Sequence, residues 1–133
     1  MGAHQFIENI VAYIPGGPWG TIIFMQFIIF LLAMILDPVG IMMITVPVFL
    51  PIIKAHGFDP LWFGILFVIN MEIWYMTPHF GFNLFYLKGI VPKGITMGDI
   101  YRSVVPYTLV ELTGLVIIML CPQIALWLPN LLL

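Results

Sequence analysis

An aspartate lies within a strongly apolar part of the sequence. Asp37 is followed by Pro38, and residues 19–53 around the pair are almost all apolar. Aspartate is a favoured helix N-cap and proline a favoured first helical residue, so the pair predicts the end of one helix and the start of another. If this part lies in a membrane, the carboxylate is also a candidate for ion or proton coupling. Asp37 can therefore be a cap, a charge carrier or both.

A second group of polar and helix-breaking residues occurs at 77–83, which reads TPHFGFN. Pro78 and Gly81 are expected to interrupt an apolar helix, and Asn83 could cap the short segment that follows. Unwound carbonyls and half-helix ends coordinate sodium in transporters. Thr77, Gly81 and Asn83 therefore have two interpretations, as helix terminators or as ion-binding residues.

Other polar residues in the apolar blocks have less specific interpretations. Glu72 and His79 would share a face of a continuous helix, as a hydrogen-bonded pair or a proton relay. Asn70 is expected to bond a neighbouring helix. Glu111, one turn after Thr108, is expected to make a packed polar contact with another helix.

The composition indicates an integral membrane protein. Of 133 residues, 62% are hydrophobic and 8% charged, and the mean hydropathy is +1.14, far above that of soluble domains. The absence of a basic patch argues against nucleic-acid binding, and the single cysteine, Cys121, excludes an intrachain disulfide framework. Neither H-E-x-x-H nor G-x-S-x-G occurs, so an intramembrane enzyme is the weakest hypothesis and we expect a protein that is not an enzyme.

The first two apolar blocks are short for membrane-crossing helices. Residues 19–36 would span roughly 27 Å and residues 39–53 roughly 22 Å, against a hydrocarbon core of roughly 30 Å. We therefore predict a re-entrant helical hairpin over 19–54 with its tip at 36–40. Non-helical backbone at that depth must be buried in protein or line a cavity.

The whole chain is expected to be all-α. Three of the four basic residues lie in the 88–102 loop, which the positive-inside rule makes cytoplasmic, with the C-terminus outside. Two interrupted apolar segments are typical of a transporter's binding site. The other expected segments are a connector at 1–18, a loop at 55–60, a broken transmembrane helix at 61–90 with its break at 77–83, a cytoplasmic loop and interfacial helix at 91–103, a last transmembrane helix at 104–121 and a tail at 122–133.

Several motifs together resemble one family. They are Asp37-Pro38, GFDPLWFG at 57–64, TPxxGxNLF at 77–85 and PQIALWLP at 122–129. Over roughly residues 19–130 the chain resembles the C-terminal part of the large membrane subunit of TRAP transporters, the DctM-like subunit. The resemblance implies the second inverted repeat of an ion-transporter-superfamily fold, an elevator mechanism and a sodium gradient as the driving force.

The resemblance also implies which residues form the site. The hairpin tip and the helix break should face each other near the membrane midplane, forming one sodium site and one side of the substrate site. The implied substrate- or ion-binding residues are Asp37, Pro38, Gly40, Thr77, Pro78, His79, Gly81 and Asn83. No cofactor is expected, and sodium, as the coupling ion, would lie near Leu36, Asp37, Thr77 and Gly81, held mainly by backbone carbonyls.

As a member of such a system, the chain would help to import small organic acid anions across the bacterial inner membrane, with a periplasmic C-terminus. The implied partners are a small four-helix membrane subunit, a periplasmic substrate-binding protein and the N-terminal repeat that this chain lacks. Two departures from the family pattern stand out: the single repeat, which fits a fragment, a split subunit or a truncated frame, and His79 where the family usually has proline. The alternative is a non-transporting anchor or assembly subunit.

Overall fold

The computed structural model describes residues 9, 13, 15–76 and 82–132, with only the backbone at 82, and the regular elements in these ranges are α-helices. They are α1 Gly17–Ala33, α2 Pro38–Ala55, α3 Pro60–Met76, α4 Phe82–Ile90, α5 Met97–Leu120 and α6 Pro122–Leu132. The predicted all-helical class is confirmed. The chain divides into two compact units, Met1–Phe67 and Val68–Leu133, with the boundary inside α3.

In the first unit, α1 and α2 contact each other as a helical hairpin. Gly16 and Gly17 begin α1 with φ of 104° and 63°, a backbone region that glycine enters without a steric penalty. At the other end, the Leu36 N–H donates to the Leu32 carbonyl at 2.8 Å, which closes the turn. Asp37 then caps α2. The helix end and the helix start that the Asp-Pro pair predicted are both confirmed.

The second helix of the hairpin is longer than expected. It runs for 18 residues through Pro47 and Pro51, about 27 Å at helical rise. By length and composition, α2 and α5 could each cross a membrane, whereas α1 and α3 are shorter apolar helices. The re-entrant path of the hairpin therefore has no support from the length of α2 and stays a prediction.

The distribution of polar residues is compatible with a membrane protein. Within the described residues, the buried polar side chains are Thr21, Gln26, Thr45 and Asn70. In contrast, large apolar side chains such as Phe27, at 56% exposure, face outward. Soluble proteins rarely expose apolar patches of this extent, because water disfavours them.

An aromatic cluster joins the start of α1 to the α2–α3 loop. Phe58 and Trp62 stack with ring centroids 5.2 Å apart. Trp19 meets both rings edge-on, at 5.6 and 6.1 Å. Trp62 is 1% exposed. Edge-to-face and offset aromatic pairs of this kind add to the stabilisation from burial.

In the second unit, α4 contacts α5 and α5 contacts α6. The described chain stops at Met76 and resumes at residue 82, so the core of the predicted break, 77–81, lies outside the described residues. Asn83 is within the first turn of α4 rather than before it, so its predicted N-cap position is wrong. The Lys88 ammonium donates to the Ile95 carbonyl across the α4–α5 loop.

Helix bounds near the C-terminus differ from the prediction. One 24-residue helix, α5, replaces the expected interfacial helix and last transmembrane helix. Thr96 and Asp99 form a capping box at its start, and the helix continues through Pro106, which lacks an N–H donor. The expected tail is also helical, because Pro122 can occupy the first position of α6.

Candidate ion- and substrate-binding site

The hairpin tip is organised by the Asp37 side chain. Its Oδ2 accepts hydrogen bonds from the backbone N–H groups of Val39 at 3.1 Å and Gly40 at 3.2 Å. Its carbonyl accepts from the Ile41 N–H at 3.0 Å. Pro38, between them, has no N–H to satisfy. The carboxylate is thus fixed at the start of α2, while the residue itself remains exposed.

Gly40 lies close to the Asp37 carboxylate. A Cβ atom built on Gly40 would lie 2.9 Å from Asp37 Oδ1 and 3.8 Å from its Cγ. The first distance is below van der Waals contact, so any side chain at this position would displace the carboxylate. The predicted site residues Asp37, Pro38 and Gly40 therefore form one interdependent turn.

The electrostatics of the tip favour a cation. The C-terminal end of α1 carries partial negative charge and unpaired carbonyls, while the N-terminal end of α2 carries partial positive charge of similar size. These two helix ends roughly cancel, which leaves the Asp37 charge. The N–H groups of Val39 and Gly40, which could have bound an anion, are already used by Asp37.

A cation at the tip would need ligands from the backbone. Among the described residues, no group of three or more His, Cys, Asp or Glu side chains could hold a metal ion. Carbonyl oxygens close to Leu36 and the Asp37 carboxylate are hard oxygen ligands, the type that hard cations prefer. This donor set suits sodium better than a transition metal.

The second half of the predicted site is described only at its edges. Thr77, Pro78, His79 and Gly81 lie outside the described residues, together with any pairing of Glu72 with His79. Asn83 is exposed in the first turn of α4. The roles predicted for these residues stay predictions.

Two acidic residues of the second unit lie close enough for their charges to interact. Glu72 is exposed on α3 and Glu111 half-buried on α5, and the two carboxylates repel each other. Glu111 Oε2 has no hydrogen-bond partner within the described part of the chain. This oxygen therefore does not make the polar contact expected for Glu111 within the described residues.

Several structurally important polar residues were not predicted. Asp59 caps the start of α3 as Asp37 caps α2. Its Oδ1 accepts hydrogen bonds from the Leu61 N–H at 2.7 Å and the Trp62 N–H at 3.4 Å. The motif Asp59-Pro60 is the signal that could have found it. Thr21 and Thr45 donate to carbonyls one turn earlier in their own helices, at 3.1 and 2.8 Å, as hydroxyls buried in helices commonly do.

Comparison with known proteins agrees with these observations. The family described as "Tripartite ATP-independent periplasmic transporter, DctM component" matches residues 1–124. The chain is 32% identical over 126 residues to the C4-dicarboxylate TRAP transporter large permease protein DctM of Pseudomonas aeruginosa. It is 32% identical over 127 residues to the ectoine large permease protein TeaC of Halomonas elongata, and 24% identical over 126 residues to the sialic acid permease protein SiaT of Haemophilus influenzae.

These matches cover nearly all of this chain but a minor part of each relative. They include 95%, 96% and 95% of this chain, and 29%, 29% and 20% of the respective relatives. The chain therefore spans less than a third of the length of these curated relatives.

Proposed function

We propose a transport role for this chain, which belongs to the DctM component family of the tripartite ATP-independent periplasmic transporters. In this proposal it forms part of the large permease subunit of a secondary transporter that imports small organic acid anions with a sodium gradient. The single observation that carries the proposal is the hairpin tip, where Asp37 and Gly40 are locked together beside the C-terminal end of α1.

The tip supports sodium as the coupling ion. Its net negative charge and its oxygen ligands favour a hard cation, and its amide donors are occupied by Asp37. An anionic substrate would meet repulsion from Asp37 until a cation neutralises it. Binding of sodium would therefore raise the affinity for the anion, which is the reciprocal coupling that symport needs.

In this proposal, the complete site also includes the predicted helix break at 77–83. Thr77, Pro78, His79, Gly81 and Asn83 would face the tip, and sodium would lie near Leu36, Asp37, Thr77 and Gly81. The hairpin would be re-entrant, and the site would cross the membrane by an elevator motion. Discontinuous helices with ion sites at their ends are the general pattern in secondary transporters.

We propose that other parts of the transporter select the substrate. The same segment of sequence matches permeases named for C4-dicarboxylates, ectoine, 2,3-diketo-L-gulonate and sialic acid. The proposed partners are the rest of the permease, a small four-helix membrane subunit and a periplasmic binding protein. We place the 88–102 loop in the cytoplasm and the C-terminus in the periplasm of a bacterial inner membrane.

Asp37→Asn in the native permease, purified through a C-terminal tag, tests the sodium site. Asparagine caps a helix about as well as aspartate, so the variant loses charge with little change in local structure. The attraction between a carboxylate and a sodium ion about 4 Å away is worth about 1 kcal/mol in water and about 4 kcal/mol at an effective dielectric constant of 20. The sodium concentration for half-maximal thermal stabilisation should therefore rise at least about fivefold, measured in NaCl against choline chloride at equal ionic strength.

Asp59→Asn is the matched control, because it makes the same chemical change at the same kind of cap. It should leave the sodium dependence unchanged, and equal effects of both variants would contradict a sodium site at the tip. Wild-type permease that shows neither sodium-dependent stabilisation, nor sodium-dependent protease sensitivity at 77–83, nor sodium-dependent succinate uptake would support the anchor alternative. A product of 15.1 kDa that co-purifies with no other half would do the same.

A further inference from the structure

An apolar cavity with one charged residue lies on the first half of α5. Its volume is about 300 Å³, and its lining includes Met76, Val105 and Leu109 together with Arg102. Arg102 is the one charged side chain among the lining residues. Thr108, which also lines the cavity, donates its hydroxyl to the Val104 carbonyl at 3.3 Å. Nearly all of the cavity surface is apolar, so Arg102 lines it mainly with its methylene stem, and the residue itself is exposed.

Along one face of α5, the residues that line the cavity begin with a charged side chain and continue with apolar ones. Arg102, Val105 and Leu109 are spaced by three and four residues, which places them on one face of α5. From Arg102 to Leu109 this face extends for roughly 10 Å at helical rise. Val105 and Leu109 are 55% and 58% exposed. A positive charge at one end of a 10 Å apolar strip is complementary to an anionic headgroup followed by an acyl chain.

Neighbouring charges leave Arg102 available for an anion. Asp99, one turn earlier, directs its carboxylate back to the N–H and hydroxyl of Thr96, at 2.8 and 2.7 Å. The loop before it adds Lys88 and Lys93. Glu111 lies roughly 13 Å further along the helix axis from Arg102. The local charge at the headgroup end of the strip is therefore positive.

We propose that this cavity binds an anionic phospholipid, with its phosphate on the Arg102 guanidinium and the upper part of one acyl chain along Val105 and Leu109. A free dicarboxylate fits less well, because its second carboxylate would be desolvated against apolar side chains without a partner. Basic pockets at the ends of transmembrane helices are suited to anionic lipid headgroups. The proposal does not depend on sodium coupling.

Native mass spectrometry of the intact permease, with phosphatidylglycerol or phosphatidylcholine added to the detergent micelles, tests the proposal. Wild-type protein should retain phosphatidylglycerol preferentially. Arg102→Gln should lower that preference about fivefold, the ratio that corresponds to about 1 kcal/mol for one basic residue near an anionic headgroup. Lys93→Gln removes a charge from the same loop outside the cavity lining and should have a smaller effect. Arg102→Lys keeps the charge and should retain most of the preference, which covers the case in which Arg102→Gln fails to fold.

Four results would overturn the proposal. Equal retention of the two lipids by the wild-type protein would exclude selective binding. Equal losses in Arg102→Gln and Lys93→Gln would indicate a diffuse electrostatic effect. Displacement of phosphatidylglycerol by millimolar succinate would identify a free carboxylate as the ligand. Crosslinking of a Val105→Cys variant to another segment of the permease, with no lipid retained, would show that protein covers the cavity.

Discussion

Because a side chain at position 40 would meet Asp37, we predict two different effects of Gly40→Ala. The free energy of unfolding should stay nearly the same, whereas sodium binding should weaken. The new methyl group would lie 2.9 Å from Asp37 Oδ1, so the carboxylate must shift, and we expect the shift to weaken the hydrogen bonds that Oδ2 accepts from the Val39 and Gly40 N–H groups. Loss of an N-cap costs about 1 kcal/mol. Alanine in place of glycine inside a helix stabilises it by about 0.8–1 kcal/mol. The two effects nearly cancel, so the free energy of unfolding should change by less than about 0.5 kcal/mol.

Sodium binding should not be preserved in the same variant. The displaced carboxylate no longer lies where the cation needs it, so the stabilisation that sodium gives should fall at every concentration below saturation. The assay is thermal unfolding of the intact permease over a sodium titration. Gly98→Ala is the matched control: it also lies in the first turn of a capped helix, but its Cβ would meet Thr96 Oγ1 at an ordinary 3.6 Å. We expect Gly98→Ala to raise stability and leave the sodium response intact.

Two outcomes would refute this reasoning. A Gly40→Ala permease with a wild-type sodium response would show that the position of the Asp37 carboxylate does not matter for the ion. A variant destabilised by several kcal/mol would show that the tip cannot relax around the methyl group and that the near-cancellation is wrong.

The remaining predictions concern the scaffold. Trp62→Ala should destabilise the permease by about 3–5 kcal/mol, because a fully buried indole leaves a cavity, and Trp127→Ala, at an exposed site, should shift the melting temperature little. Thr96→Ala should cost about 1 kcal/mol through the lost capping box and speed amide exchange in the first turn of α5. Thr113→Ala, which removes a mid-helix hydroxyl bonded to the Leu109 carbonyl, should leave that exchange unchanged; equal protection in both variants would contradict the capping role.

The start of α2 could be predicted from the sequence because its signal is local. An aspartate can reach only the N–H groups two and three residues ahead, and proline has a fixed φ, so Asp37-Pro38 specifies a helix start wherever it occurs. The same reasoning applied to Asp59-Pro60 would have predicted the start of α3. The polar composition of residues 54–60, which is typical of a loop, hides this signal.

The faces of the helices could not be predicted in the same way. In α1 nearly every residue is apolar, so the hydrophobic pattern does not show which face of the helix is buried. Packing against other helices determines that Thr21 and Gln26 are buried. The continuity of α5 across residue 104 is hidden in the sequence for a related reason. Polarity changes near residue 104, but the backbone hydrogen bonds of a helix do not depend on side-chain polarity, and the capping box at Thr96 sets the start instead.

The two Asp-Pro caps show why the local signal alone does not define a functional site. Asp37 and Asp59 make nearly the same bonds to backbone N–H groups. Asp37, however, comes after the short turn 34–36 that ends α1, and a Cβ atom at Gly40 would meet its carboxylate. Asp59 follows the loop that contains Gly57 and Phe58 and is next to the aromatic cluster. This difference in surroundings, rather than the cap itself, is why we propose a cation site at the Asp37 tip and use the Asp59 turn as its control.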